Sequence, residues 1–254
     1  MKKQVIIVSD LHLGTIDSKA DEFIEFIESN PTELLILNGD IIDGWALERG
    51  AKWKKKHTKV ISKLLHLSNK MKIIWIRGNH DEFIQDFIGN NFGRIHIKED
   101  YILNTKSLAP NGEYTTKAYY IFHGDVIDVF ISKYKSIAKI GSAGYDLALW
   151  LNRWYNRYRV WRKLPYQSIS QKIKNSVKAA TNYINDFEVS ALRMATKKRC
   201  DGVICGHIHQ PEDRMIDGKR YLNSGDWVEN MSAILIDENG NIELYRKHIP
   251  TPDK

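Results

Sequence analysis

Five short segments of this 254-residue chain carry side chains that bind divalent metal ions. Each segment follows a short apolar run, so the donors stand where predicted strands end, and open α/β sheets build their sites there. The segments are SDLHLG at 9–14, NGDIID at 38–43, RGNHDE at 77–82, FHGD at 122–125 and GHIH at 206–209. Their donors are Asp10, His12, Asp40, Asn79, His80, His123, His207 and His209. Oxygen and imidazole donors in this number suit two adjacent cations, and such a pair suits the hydrolysis of phosphate esters.

The spacing inside the segments supports one shared site. Asp10 and His12 are separated by one residue, as are His207 and His209. Side chains alternate along extended backbone, so each pair is predicted to point to one side and reach one ion. Asp40 follows a glycine that lets the backbone approach closely, and its two oxygens can bridge two ions. A single pair of this kind occurs by chance, whereas all five segments in order favour a metal centre.

The elements that must position these donors alternate in the first half of the chain. Apolar runs predict strands at 4–8, 34–37 and 73–76, and apolar residues at helical spacing predict helices at 21–28 and 59–69. This β-α-β-α-β order predicts a buried, parallel sheet. A further strand is predicted at 119–122, after a loop with turn signals at 110–112.

The second half begins with a predicted helical insertion. The pattern is helical from about 126 to 198, and strands return at 202–205, 220–222, 233–236 and 242–246. The last two flank Asp-Glu-Asn-Gly, a strong hairpin signal. The sequence therefore predicts one domain made of residues 1–125 and 200–254, interrupted by a helical cap at 126–199.

Charge separates the insertion from the rest of the chain. The net charge is +7, yet residues 131–200 alone have 15 Lys and Arg against three acidic residues, which leaves −5 elsewhere. A basic segment in an acidic chain indicates a partner of its own. The first apolar run is too short for a signal peptide, and the two cysteines suit buried thiols in a reducing compartment. We therefore expect a cytoplasmic protein.

The five motifs D-x-H, G-D-x-x-D, G-N-H-D, H-G-D and G-H-x-H resemble those of the calcineurin-like metallophosphoesterases. The resemblance implies an α/β fold, with a two-sheet sandwich flanked by helices (α-β-β-α) and two metals at one edge. It implies a first metal held by Asp10, His12, Asp40 and His209. It implies a second metal held by Asp40, Asn79, His123 and His207. His80 would be the catalytic histidine.

This resemblance gives the expected chemistry. Two cations produce hydroxide near neutral pH, which attacks phosphorus, and they neutralise the phosphate. His80 either protonates the leaving oxygen or binds a nonbridging one, with the alternative that it orients a metal ligand. Asp43 is expected either to hold a histidine ligand or to stabilise a turn. Nitrogen and oxygen donors without thiolate suit Mn²⁺, Fe²⁺ or Zn²⁺, and resemblance to the bacterial members favours Mn²⁺.

The insertion carries the information about substrate. At helical spacing, an aromatic face bordered by arginines runs through WLNRWYNRYRVWRK at 150–163. Three interpretations stand: packing on the core, contact with a membrane interface, or a groove for an amphiphilic phosphate ligand. The predicted substrate-binding residues are Arg77, Trp150, Trp154 and Arg157. Arg77 and Asn38 adjoin metal donors, and for each of them a structural role is an equal alternative to phosphate contact.

The position of the insertion and the run LNSGDWVEN at 222–230 resemble bacterial UDP-2,3-diacylglucosamine pyrophosphatases of lipid A synthesis. That resemblance implies a lipid-linked nucleotide diphosphate as substrate and UMP and a lipid phosphate as products. It also implies peripheral contact of the basic cap with the inner face of the cytoplasmic membrane. One residue departs from the best-known branch, in which arginine follows the ligand asparagine; here that residue is His80.

Two alternative functions follow, one from the histidine at position 80 and one from the basic segment at 131–200. A soluble metallophosphodiesterase or phosphatase would use the same metal centre on another small or protein substrate. A nucleic-acid-directed phosphoesterase would use the basic segment on phosphates, with binding that weakens steeply with salt. The sequence has no recognised nucleic-acid motif, so we expect no nucleic-acid partner, and it leaves the oligomeric state open.

Overall fold

The computed structural model describes residues 3–108, 113–130 and 174–247. The chain divides into two compact units, one of Met1–Asp125 with Ser190–Lys254 and one of Val126–Val189. The boundaries of the cap at 126–199 stay a prediction. The aromatic residues at 150–163, which include the predicted substrate contacts Trp150, Trp154 and Arg157, lie outside the described residues.

The first unit contains two mixed β-sheets. The strands are β1 Lys3–Val8, β2 Thr32–Asn38, β3 Lys72–Ile76, β4 Asn91–Phe92, β5 Ile95–Lys98, β6 Tyr101–Leu108, β7 Tyr114–Ile121, β8 Gly202–Cys205, β9 Glu212–Ile216, β10 Lys219–Asn223, β11 Ser232–Asp237 and β12 Ile242–Arg246. Seven form one sheet in the order β12-β11-β1-β2-β3-β5-β4, and five form a second in the order β6-β7-β8-β10-β9.

Helices flank these sheets. They are α1 Ala20–Ser29, α2 Gly44–Glu48, α3 Lys55–Leu67, a 3₁₀ helix Glu82–Phe87, α4 Asp125–Phe130 and α5 Lys174–Lys197. Helix α5 runs from the second unit into the first. None of the helices in the described ranges is long and apolar enough to cross a membrane.

Two apolar cores hold the first unit together. One lies between the sheets, where Ile7 and Ile36 of the first sheet meet Ile121 and Ile204 of the second. The other lies under α1 and α3, where Phe23 and its neighbours cover the opposite face of the seven-stranded sheet. The first sheet is covered on both faces, which is why its strands read as nearly continuous apolar runs. The predicted class, two sheets flanked by helices, is confirmed.

The parallel order predicted for the first three strands is confirmed, and the first sheet as a whole is mixed. Strands β1, β2, β3 and β5 are parallel, but β11 pairs antiparallel with β1 and β12 with β11. The predicted hairpin at 237–240 is confirmed and supplies this antiparallel edge. The loop predicted before residue 119 is wrong in part, because β5 and β6 occupy 95–98 and 101–108. Polar residues along β6 hide its strand pattern, and pairing with β7 stabilises it.

This topology brings the donor segments to one end of each sheet. Strands β1, β2 and β3 run parallel and end at Val8, Asn38 and Ile76. Strands β7 and β8 run parallel in the second sheet and end at Ile121 and Cys205. Each of the five donor segments begins within two residues of one of these strand ends. The donors therefore gather at the carboxyl ends of the strands, as the sequence predicted.

Candidate metal centre

The donors stand on left-handed backbone. The φ angles are 55° at Asp10, 47° at His12, 54° at Asp40, 70° at His207 and 53° at His209. These are five of the eight non-glycine residues with positive φ in the described chain. Such conformations cost roughly 1–3 kcal/mol each and persist where the surroundings enforce them, often at functional sites. The expectation that the donor pairs are extended is wrong: each pair converges because the backbone turns at both residues.

Backbone hydrogen bonds enforce these turns. The loop after β1 continues to pair with the loop after β2, since Asp10 N donates to Gly39 O at 3.0 Å and His12 N to Asp40 O at 3.0 Å. Trp227 N donates to Asp10 O at 3.0 Å from the other side. The turns are thus part of the hydrogen-bonded framework of the protein.

The first group of donors consists of Asp10, His12 and His209. His209 Nε2 lies 3.0 Å from Asp10 Oδ1 and 3.3 Å from His12 Nε2. His12 Nε2 lies 3.8 Å from Asp10 Oδ1. One donor atom from each residue falls within 4.8 Å of the others, which is the compactness that one cation requires.

The second group consists of Asp40, His123 and His207. His123 Nε2 lies 3.1 Å from Asp40 Oδ2, and the His123 and His207 rings are 5.2 Å apart between centroids. Asp40 Oδ2 also lies 4.0 Å from His12 Nε2 of the first group. Asp40 therefore stands between the two groups, where its carboxylate can serve both.

Among the described residues, three buried atoms of the proposed metal ligands lack a hydrogen-bond partner. They are Asp10 Oδ1, Asn79 Oδ1 and His123 Nε2. Buried polar atoms are nearly always hydrogen-bonded, and each exception calls for an explanation. Here the atoms face other oxygen and nitrogen lone pairs, which is the arrangement that divalent cations complete. The residues present therefore fit two divalent metal ions.

The electrostatics of the buried cluster point the same way. Burial opposes ionisation of Asp10, but His209 and His123 outweigh it and hold the pKa of that carboxyl well below its usual range. Burial likewise opposes the charge of His123, but Asp40 and Asp10 raise its pKa to about 10. The buried carboxylates thus favour positive charge nearby, which a proton on His123 supplies when metal is absent.

A family model for calcineurin-like phosphoesterases matches residues 3–211. The chain belongs to the calcineurin-like phosphoesterase family. It is a metal-dependent phosphoesterase, and the fold and the two donor groups are those that such an enzyme needs. The resemblance drawn from the five motifs is confirmed.

Curated relatives align with this phosphoesterase over nearly its whole length. A protein of Shewanella pealeana named UDP-2,3-diacylglucosamine hydrolase is 25% identical over 95% of this chain and 97% of its own. One of the same name from Shewanella piezotolerans is 26% identical over the same shares. A solved archaeal phosphodiesterase aligns over 95% of this chain and 98% of its own, at 15% identity and a TM-score of 0.42.

Asp43 of the phosphoesterase holds two histidines at once. Its Oδ2 lies 3.0 Å from His12 Nδ1, and its Oδ1 lies 2.9 Å from His80 Nδ1. Oδ1 also accepts from Ala46 N at 2.7 Å, at the beginning of α2. The two roles that the sequence offered as alternatives, orienting a histidine and stabilising a turn, are combined in one carboxylate.

His80 is fixed on three sides beside the donors. Its backbone N–H donates to Asp40 Oδ1 at 2.8 Å, and its ring lies against Trp45 with 4.3 Å between centroids. The ring meets His12 edge-on at 4.7 Å. About 21% of the side chain is exposed, so His80 borders the donors where a substrate can reach it.

Two residues beside the donors have structural partners. Asn38 is fully buried, its Nδ2 donates to Phe122 O, and its carbonyl accepts from His123 Nδ1 at 2.8 Å. Arg77 donates to both Glu99 and Asp125, and its side chain is only 12% exposed. This geometry favours positioning roles for both, and substrate contact by Arg77 stays a prediction.

Asp81 is a positioning residue to which the sequence analysis gave no role. It is fully buried and accepts from Gly78 N at 2.6 Å, Ile41 N at 2.9 Å and Trp75 Nε1 at 3.0 Å. It thereby ties the loop that carries Asn79 to the loop that carries Asp40. Burial and the nearby Asp40 charge raise the pKa of Asp81 to about 6. The sequence signal that could have identified Asp81 is its position directly after the G-N-H motif.

The run at 222–230 supports the donor loops from behind. Asn223 Nδ2 donates to Gly206 O at 2.8 Å, and Asn230 Nδ2 donates to His209 O at 3.1 Å. Asp226 Oδ1 accepts from the backbone N–H groups of Val228 and Glu229 and orders the turn. The sequence singled out this run for its resemblance, and the contacts show that it holds the loop of His207 and His209.

Two glycines permit the close packing of the donors. A Cβ built on Gly39 would overlap the His123 ring, and one on Gly78 would overlap the Asp40 carboxylate. Gly39 also has a φ of 82°, which favours glycine. The predicted reason for glycine before Asp40, close approach of the backbone, is therefore correct.

Proposed function

We propose that this phosphoesterase cleaves the pyrophosphate of UDP-2,3-diacylglucosamine, or of a related lipid-linked nucleotide, to give UMP and a lipid phosphate. The observation that carries the proposal is the extent of the similarity to relatives named for that substrate. They align over 95% of this chain and 97% of their own, so the match includes the insertion as well as the metal-binding domain.

The proposed ligands follow the two donor groups and the sequence motifs. The first metal would be held by Asp10, His12, Asp40 and His209, and the second by Asp40, Asn79, His123 and His207. When bound, two divalent ions activate water and neutralise charge on the phosphate. The donor set is nitrogen and oxygen without thiolate, and we propose Mn²⁺ as the native ion.

In the proposed reaction, His80 acts on the leaving group. Its Nδ1 lies 2.9 Å from Asp43 Oδ1, and we assign its Nε2 to the substrate. Water adds to phosphorus and releases one proton to solvent, the phosphorus–oxygen bond of the leaving group breaks, and the proton on Nε2 passes to the departing oxygen. Asp43 stabilises the protonated ring before this transfer, and Trp45 keeps the ring in place. His80 then regains a proton from solvent.

A second candidate rests on His80 itself. The best-known branch of the diacylglucosamine enzymes has arginine at this position, and a histidine held by a carboxylate can serve phosphoesters in general. A soluble phosphodiesterase or phosphatase is therefore the alternative. It would use the same donors but would not need an acyl chain on its substrate.

Product analysis separates the two candidates. The full chain is incubated with Mn²⁺ and either UDP-2,3-diacylglucosamine in detergent or bis-p-nitrophenyl phosphate, and nucleotides are resolved by chromatography. We expect UMP and a lipid phosphate, with both lost in Asp40→Asn. Release of UDP would show cleavage of a different bond and contradict the proposal. Turnover of the synthetic diester alone would reject the lipid substrate and favour the soluble enzyme.

A further inference from the structure

A second basic region lies in the first compact unit, between α2 and the middle of α3. Residues 49–63 contain seven Lys and Arg and no Asp or Glu. Outside this region and residues 131–200, the chain has 16 Lys and Arg against 28 Asp and Glu. Positive charge is therefore concentrated in two regions of an otherwise acidic protein. The structure describes the side chains of the region at 49–63.

These lysines occupy electrostatically unfavourable positions. Lys52, Lys54 and Lys55 are exposed, and in the described part of the chain none of them takes part in an ion pair. Lysines begin α3, whose first turn has no acidic residue, although cations are disfavoured at that end of a helix. Lys55, Lys59 and Lys63 then repeat every four residues, a spacing at which like charges repel. Of these three, within the described residues, only Lys63 is paired, with Glu28. Charges in such unfavourable positions favour binding to an anionic partner.

Exposed apolar groups lie beside the lysines. Trp53 is 40% exposed, and its indole Nε1 donates to Thr58 Oγ1 at 2.8 Å, so the polar edge of the ring is satisfied within the protein. Ile16 is 66% exposed on the loop that Lys56 Nζ holds through the carbonyl of Ser18. A tryptophan surrounded by cations is the composition that binds at a membrane–water interface.

A groove continues this surface along α3. It measures about 680 Å³, and its lining includes Lys55, Thr58, Lys59 and Ser62 together with Ile24 of α1. Ammonium and hydroxyl groups around an apolar side chain suit a phosphate headgroup with an acyl chain attached. The groove thus extends the combination of cationic and apolar groups from the loop before α3 onto the face of α3.

The region adjoins the candidate metal centre. His57 Nδ1 accepts from Gly14 N at 3.2 Å, two residues after His12. On the other side, α2 carries Trp45, which lies against His80. If the exposed side chains of this region rest on anionic lipid, the metal donors will lie close to the bilayer.

We propose that the lysine surface, formed by Arg49, Lys52, Trp53, Lys54, Lys55 and Lys59, docks the enzyme on an anionic phospholipid bilayer. The choice of a bilayer over another polyanion rests on the proposed function, because a lipid-linked substrate resides there. The exposed Ile16 and Trp53 favour the same choice, since they can enter acyl chains. The docking contact then lies in the metal-binding unit, apart from the basic insertion.

Vesicle sedimentation tests the proposal without depending on hydrolysis. The full chain is mixed with vesicles of phosphatidylcholine, alone or with phosphatidylglycerol, and the bound fraction is measured at low and high salt. We expect binding to the mixed vesicles only, weakened by salt. The triple variant Lys52→Gln, Lys54→Gln, Lys55→Gln should bind about a hundredfold more weakly, since each lysine near an anionic surface contributes about fivefold. Trp53→Ala should also weaken binding, and Trp53→Phe should restore much of it.

A matched control removes the same charge elsewhere. Lys70 in the turn after α3, Lys72 of β3 and Lys117 of β7 are exposed lysines outside the lysine surface, and their triple Gln variant should bind like the original protein. The melting temperature of the lysine-surface variant should be unchanged or raised, because cations leave the beginning of α3. Equal losses in both triple variants, or none in either, would overturn the proposal. So would binding of single-stranded DNA by the lysine surface without binding of vesicles.

A separate assay distinguishes failure of this proposal from failure of the proposed function. Hydrolysis of UDP-2,3-diacylglucosamine in detergent should be unchanged in the lysine-surface variant. Vesicle binding lost in that variant, together with no hydrolysis of the lipid nucleotide by the original protein, would retain docking and reject the substrate. Hydrolysis with no vesicle binding by the original protein would retain the substrate and reject docking.

Discussion

The Asp43 carboxylate joins two histidines to which the sequence gave different tasks. His12 is a proposed metal ligand, and His80 is the proposed acid. One carboxylate contacts the Nδ1 atoms of both at 3.0 and 2.9 Å, so each ring presents its Nε2 to the site. Such carboxylate–histidine pairs fix the tautomer and orientation of a ligand. The position of the acid relative to the metals is therefore set by a single residue.

Substitution of Asp43 by Asn should show whether Asp43 orients the two histidines or only stabilises the beginning of α2. The amide oxygen can still accept from Ala46 N, so α2 should form, but the amide cannot reproduce both contacts to histidine. We expect metal affinity to fall about 10- to 100-fold, measured by calorimetric titration of metal-free protein with Mn²⁺. Asp86→Asn removes the same charge from an exposed position and should leave affinity unchanged. Unaltered affinity in Asp43→Asn would limit the role of Asp43 to His80.

Substitution of His80 by Gln tests the proposed acid. The proton donor is removed while the proposed ligands remain, so we expect kcat to fall about 10²- to 10⁴-fold. Metal content, measured by mass spectrometry of the purified protein, should not change. A variant that loses metal together with activity would assign His80 to the positioning of ligands, the alternative that the sequence offered.

Metal binding should release protons, because at least His123 of the metal-free cluster is protonated at neutral pH. Burial opposes the charge of His123, but Asp40 and Asp10 raise its pKa to about 10, so the ring carries a proton at neutral pH. Coordination needs the neutral ring, and affinity should therefore rise with pH, about tenfold per pH unit for each proton released. Calorimetry in two buffers of different ionisation enthalpy counts these protons. A count of zero would contradict the pKa shift.

At the scale of elements, the loops after the strands determine the site more than the strands do. Gly39 and Gly93 both have positive φ, at 82° and 63°, but only Gly39 has a neighbour that a Cβ would meet. Alanine should cost roughly 1–2 kcal/mol of unfolding free energy at each because of backbone strain. At Gly39 the overlap with His123 should add roughly 1–3 kcal/mol. Urea unfolding of both variants measures the difference. Equal losses would show that the His123 loop moves aside freely.

Periodicity was sufficient to predict the elements that lie between covered faces. The strands β1, β2 and β3 were predicted to within two residues at each end because burial on both faces makes them continuous apolar runs. Strand β6 was missed because Asn104, Thr105 and Lys106 interrupt its apolar pattern. Its stability comes from antiparallel pairing with β7, which the residues of β6 alone do not reveal. Helix α3 begins four residues before the prediction, since His57 Nδ1 accepts from the backbone at Lys54 and Gly14.

The candidate site was predicted in identity but not in geometry. The types and order of the side chains indicated the donors, because only a few residue types coordinate divalent metal ions. The left-handed turns at Asp10 and His12 could not be inferred, since aspartate and histidine adopt that conformation more often than most residues but still rarely. The contacts of Asp43 and Asp81 arise only when loops after different strands come together. Residues that position the metal donors therefore cannot be identified from the spacing of motifs in the sequence.

At the scale of the whole molecule, we propose that two basic regions divide the recognition of the proposed lipid substrate. The lysine surface belongs to the metal-binding unit. The basic segment at 131–200 includes the predicted aromatic face at 150–163. We assign docking on the bilayer to the first and contact with acyl chains to the second. The two tasks differ in what they respond to: docking depends on salt and on anionic lipid, whereas acyl contact depends on chain length.

Kinetics with substrates of graded acyl length separate the two tasks. Each buried methylene contributes about 0.8 kcal/mol, so loss of the aromatic face should matter most for long chains. In detergent, Trp154→Ala should raise KM for long-chain substrates and leave KM for the shortest ones unchanged, with little effect on kcat. Trp53→Ala is the matched control, because it removes a tryptophan from the lysine surface. It should behave normally in detergent and raise KM only when the substrate is presented in anionic vesicles. If KM of Trp154→Ala were independent of chain length, the aromatic face would have no contact with acyl chains, and packing on the core would explain it.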